Sequence, residues 1–156
     1  MDWTELLRWA HILGACVLIG TGAGIAFFML MAHRTRDAEF IARTAATVVV
    51  ADWLFTATAV VAQPITGALL AASVGWSLRE PWIVLSLILY VMIGGLWAPV
   101  IWLQLKMKAI AEACARTAHP LPPLYYQLYR RWFWCGVPAF LLILAILWIM
   151  VAKPVW

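Results

Sequence analysis

Charge is what this sequence has least of. Of its 156 residues, 12% are Asp, Glu, Lys or Arg, about half the share found in soluble domains. A water-soluble domain of this length has too little interior to hide the 66% of residues that are hydrophobic. Cysteine is also scarce. Cys16, Cys114 and Cys135 are odd in number, scattered, and form no C-x-x-C pair, which excludes a disulfide framework and a zinc finger. There is no internal repeat, low-complexity tract or linker, so a single domain is expected. A basic leader is missing too: Asp2 and Glu5 stand where a signal peptide carries cations, and the apolar run that follows is too long. The first helix is therefore expected to stay in the mature chain. The net charge of +4 does not indicate nucleic acid. The basic residues sit at the ends of apolar runs, where anionic lipid headgroups attract them.

What is present is four apolar runs, each long enough to cross the hydrocarbon at about 1.5 Å per residue. They predict an all-α membrane protein of one domain, residues 1–156, with helices over about 5–32, 38–72, 81–117 and 125–153. Turn signals separate them: HRTRD at 33–37, SVGWSLREP at 73–81 and HPLPP at 119–123. Connections this short predict an up-down-up-down bundle. Eight basic residues (Arg34, Arg36, Arg43, Lys106, Lys108, Arg116, Arg130, Arg131) flank the 1–2 and 3–4 connections, against three (Arg8, Arg79, Lys153) at the other end. The positive-inside rule then puts both termini outside. Trp3, Trp9, Trp76, Trp82 and Trp156 mark the outer rim on this reading, and Tyr125, Tyr126, Tyr129 and Trp132 the inner one.

Small residues and prolines shape the interior. Gly20 and Gly24 form a G-x-x-x-G pair, and Gly94-Gly95 lies midway along helix three. Such residues let helices approach closely, or leave a slot for a flat cofactor. Pro64, Pro99 and Pro138 each free a carbonyl inside a helix and bend it. Gln63 and Gln104 are suited to bridging helices or to binding those freed carbonyls.

Ionisable groups within apolar runs mark candidate sites. His11 is the only charge-capable residue between Trp9 and Met31. It lies about two turns, or about 9 Å, from the helix start. A neutral imidazole there is suited to haem iron, or it is an interfacial group bonded to a neighbouring helix. Arg8 lies one turn toward water on the same face, where a propionate would want a cation. At His11's level, helix two offers Thr66, helix three Leu87 to Tyr90, and helix four Leu147 to Met150. Met150 is the conceivable second ligand. Gly14, Gly20, Gly22 and Gly24 would leave room for a ring, and Lys153 is either a snorkelling anchor or a second cation beside Arg8. His33 and His119 are expected to be solvated or interfacial, with His33 a weaker metal candidate. Asp52, the one carboxylate inside an apolar run, calls for a cation such as Lys106, Arg130 or Arg131, or else serves as a proton relay.

Two groups of residues carry a resemblance. Arg8-x-x-His11-Ile12 resembles the opening of HemJ-type protoporphyrinogen oxidases. Arg131-Trp132-Phe133, Val137-Pro138 and LLILAILWIMVAKP resemble their ending, with Pro64 and Gly67 fitting more weakly. ADWLFTATAVVAQPITG, WAPVIWLQLKM and PAF…MVAKP are similar to a family of bacterial four-helix membrane proteins of unknown function, near HemJ and the copper-resistance CopD proteins. The resemblance implies haem b at His11, the inner (plasma) membrane of a bacterium, and quinone or a porphyrin as partner. It does not carry the HemJ reaction over. Phe27-Phe28-Met29 replaces a Pro-Arg pair, and Trp134-Cys135-Gly136 replaces an Asn-Glu pair. The alternatives are CopD-like copper handling, for which Met29, Met31 and His33 are the best cluster, and a structural subunit without chemistry. A bundle with glycine-rich faces is also suited to a homo-oligomer.

Overall fold

The computed structural model describes residues 2–154. Trp156, assigned above to the outer rim, lies outside them. Five α-helices account for almost all of the chain: α1 (Trp3–Thr35), α2 (Ala38–Ala51), α3 (Ala57–Ser73), α4 (Pro81–Thr117) and α5 (Pro123–Ala152). A π turn, Asp52–Thr56, joins α2 to α3 as one rod over Ala38–Ser73. The protein thus has four helical rods long and apolar enough to cross a membrane.

Local chemistry sets the ends. Asp2 and Glu5 form a reciprocal capping box, Asp2 Oδ1 accepting from Glu5 N at 2.7 Å and Glu5 Oε2 from Asp2 N at 2.9 Å. The acidic pair therefore starts a helix. Asp37 caps α2, accepting from Glu39 N at 2.9 Å. Pro81 and Pro123 open α4 and α5, where a missing N–H costs nothing. Arg36 and Ala118 end α1 and α4 in the left-handed region.

The π turn rotates one half of the rod against the other. Buried positions fall at Ala45, Val48, Asp52, Thr56, Ala59 and Gln63. In the wider turn Ala57 N–H bonds to Asp52 O, so α3 is turned relative to α2. The buried face of α2 meets α1 and α4, whereas that of α3 meets α1.

The interior is divided. One cluster occupies the end at which α1 meets α2 and α4 meets α5, called here the basic end. It holds Met29, Ala32, Ile41, Ala45, Met107, Ala111 and Tyr125, each at 0% exposure. At the opposite, terminal end a smaller cluster joins Ala71, Trp82, Ile83 and Ile149. Between the two, α1/α3 and α4/α5 stand apart. Among the described residues, α3 brings no Cα within 8 Å of α4 or α5. Large apolar residues such as Val91, Trp148 and Val151 are exposed, which suits a lipid surroundings.

Three expectations change. Tyr125, Tyr129 and Trp132 are buried core residues rather than an interfacial belt, because they pack under α1 and α4 before the helix reaches its apolar stretch. The G-x-x-x-G pair does not bring helices together: a Cβ built at Gly20, Gly24, Gly94 or Gly95 meets nothing within 4 Å. The carbonyl that Pro64 frees, at Val60, is taken by Tyr90 Oη at 2.5 Å rather than by a glutamine.

Candidate functional site

His11 lies on the inward stripe of α1 with Leu7 and Ile25, and its ring turns toward α3. His11 Nδ1 is 3.0 Å from Thr66 Oγ1. The Thr66 hydroxyl is itself 2.8 Å from Ala62 O and 3.2 Å from Gln63 O. A hydroxyl has one proton, and here the helix carbonyls take it. Toward His11 the oxygen therefore accepts. This network assigns the proton to Nδ1 and leaves the lone pair on Nε2. Nε2 has no hydrogen-bond partner among the described residues, and it is not sealed in.

The backbone around the ring is equally specific. Gln63 Nε2 donates to His11 O at 2.7 Å, tying α3 to α1 a second time. Gly14 makes room for that amide; a Cβ at 14 would overlap Gln63 Nε2. At Gly67 a Cβ would stand 3.0 Å from His11 Cε1. Two glycines thus allow close approach, one under the glutamine and one under the imidazole.

The other expected groups are dispersed. Arg8 is exposed and makes no ion pair among the described residues. Lys153 Nζ sits 5.6 Å from the Trp76 ring and 5.9 Å from the Trp82 ring. Met150 packs on the Ala71, Trp82, Ile83, Ile149 cluster. Gly14 serves Gln63 rather than a ring-shaped slot, whereas Gly20, Gly22 and Gly24 face open space.

At the basic end, His33 stacks flat on Tyr129, ring centroids 3.5 Å apart and planes 2° apart, with Tyr125 and Tyr126 also close. It is half-buried against tyrosines, which fits the interfacial expectation rather than the solvated one. His33 Nδ1, Tyr125 Oη and Tyr129 Oη are buried without partners. His119 is exposed, its Nδ1 donating to Thr117 O at 2.8 Å. No group of three or more His, Cys, Asp or Glu gathers in metal-holding geometry among the described residues. Met29, one member of the suggested copper cluster, is sealed in the core.

Asp52 has no cation. The ion pairs among the described residues are Arg43–Glu39 and Lys108–Glu112. Lys106 instead lies over the Trp102 ring at 3.9 Å, and Arg130 and Arg131 are exposed. Gln104 Nε2 reaches Asp52 Oδ2 at 3.5 Å, and Trp132 Nε1 donates to Gln104 Oε1 at 3.1 Å. The expected ion pair fails because the cations extend from the helix surface while Asp52 turns into the bundle.

Sequence reasoning placed Thr66 and Tyr90 at the right level but gave neither its partner. The signal for Tyr90 was Pro64 itself, since a freed carbonyl in an apolar span requires a donor.

Four long apolar rods with lipid-suited outer faces and a few buried polar bonds define a helical, multi-pass integral membrane protein. The family described as "Predicted integral membrane protein (DUF2269)" matches residues 5–154, and the chain belongs to that family. No curated protein and no solved structure matches it.

Proposed function

We propose that the protein is an intramembrane haem b protein with a redox role, in which His11 Nε2 is the iron ligand. The observation that carries this reading is the Thr66 hydroxyl. It holds His11 as the Nδ1–H tautomer, the arrangement by which metal-binding histidines are oriented, with the other nitrogen unpartnered. The donor set fits one axial position, and the residues at that end supply no second imidazole. The resemblance to HemJ at Arg8-x-x-His11-Ile12 supports the same choice. Arg8, one turn nearer the helix start, would hold a propionate, and Met150 would be a further residue able to hold the group. When bound, haem supplies one-electron chemistry or ligand activation. The chain's own part is to orient the imidazole through Thr66, fix the backbone through Gln63, and keep the ring edge against Gly67. Quinone or a porphyrin is the proposed partner.

The reading includes a topology. The helices run up-down-up-down in a bacterial inner membrane, with the basic end in the cytoplasm and both termini outside. The eight-to-three distribution of basic residues supports it.

Purified protein is expected to show a Soret band that His11→Ala abolishes at unchanged expression. Thr66→Val is expected to weaken haem retention by about 10–100-fold, the usual cost of losing such an orienting partner. A colourless wild type after haem supplementation would overturn the reading.

A further inference from the structure

Asp52 lies in the π turn at 6% exposure, in the middle of the rod Ala38–Ser73. Beside it is a cavity of about 10 Å³ lined by Val49, Trp97, Ile101, Gln104 and Leu105, with Trp53 at its edge. That is room for about one water molecule. Asp52 is the one ionisable residue in its lining. The titratable groups on the elements packed around it are engaged or turned away: Lys106 of α4 on Trp102, Arg130 and Arg131 of α5 at the surface, and Cys16 of α1 exposed.

The carboxyl is met by neutral groups alone. Gln104 Nε2 reaches it at 3.5 Å, at the limit of a real bond, and the Thr56 hydroxyl and the Trp97 indole also face it. The orientation of Gln104 is set by Trp132, whose indole can only donate and therefore takes Oε1. One turn on, the buried Thr56 Oγ1 makes no other hydrogen bond and is turned to the same carboxyl. A metal cation needs several oxygen ligands, and Gln104 offers this site nitrogen.

We propose that Asp52 is a proton-binding and proton-exchange site inside the membrane, served by a water in the adjoining cavity. A carboxyl buried in an apolar span must be neutralised by a cation or by a proton, and the geometry leaves the proton. The site lies in the π turn, with Asp52 and Thr56 both on its buried face. The proposal does not rest on haem.

The test is carbodiimide labelling of the purified full chain in micelles. Dicyclohexylcarbodiimide is apolar and reacts with protonated carboxyls. It is expected to leave a stable adduct on Asp52, mapped by mass spectrometry, that falls at least about tenfold between about pH 6 and about pH 9. A water-soluble carbodiimide is expected to mark Glu39 and Glu112 and to spare Asp52. Asp52→Asn is expected to lose the adduct, and Asp52→Glu, which retains a carboxyl should the first variant fail to fold, to keep it. No adduct on Asp52, an adduct indifferent to pH, or one that sodium suppresses and choline does not, would overturn the proposal.

Discussion

The two halves of this bundle are held in different ways. At the basic end, residues from α1, α2, α4 and α5 interlock with nothing exposed, and Met29, Ile41, Met107 and Tyr125 reach 0%. Toward the terminal end, α3 leaves α4 and α5, Gly20, Gly22 and Gly24 face space, and a small apolar cluster is joined by single polar bonds: Thr66 with His11, Gln63 with the His11 carbonyl, Tyr90 with the Val60 carbonyl. Lipid offers no hydrophobic drive between helices, so dense packing is what steadies one half. The other half is steadied by directed bonds, each of which also fixes a particular side chain. Chemistry belongs where orientation is specified and space is left.

The sharpest way to break this contrast is a matched pair of truncations. Met107→Ala is expected to cost about 2–5 kcal/mol, and Leu18→Ala, half-buried on α1, under about 1 kcal/mol. Unfolding in micelles of rising SDS fraction reads both; equal costs would erase the distinction. Next is Tyr90→Phe, which strands the Val60 carbonyl and is expected to cost about 1–3 kcal/mol. In a Pro64→Ala background, where residue 64 regains its N–H, the same change is expected to cost clearly less, and a double-mutant cycle measures that coupling. The smallest effect is a difference of sign among glycines. Gly67→Ala pushes on His11 Cε1 and is expected to destabilise by about 1–3 kcal/mol. Gly94→Ala, with open space around it, is expected to gain up to about 1 kcal/mol from helix propensity. Thermal melts of the two variants would show opposite shifts.

Much of the frame was legible because lipid imposes it. Length, apolarity and the turn-forming breaks at 33–37, 73–81 and 119–123 place four rods, and the acidic residues at 2 and 37 mark two helix starts. The interior was less legible. A helical wheel extended unbroken from Ala38 loses register at Asp52, since nothing in the residues announces an i→i+5 turn. Depth alone suggested cations for Asp52, yet depth says nothing of the direction in which a long side chain leaves its helix. Glycine spacing marked where helices might meet, and only Gly14 and Gly67 turned out to have neighbours. His11 was found as the isolated ionisable group of its run. Its partner required knowing how α3 is rotated.

That rotation is decided within five residues. Each residue advances an α-helix by about 100° and a π turn by less, so winding the same Asp52–Thr56 residues as ordinary α-helix would swing Ala57–Ser73 through about a quarter circle. Gln63 and Thr66 would then point away from α1, while the tightly packed half upstream stayed as it was. The π turn acts as a phase setting: it lets one continuous rod belong to a rigid core at one end and aim two polar side chains at a histidine at the other.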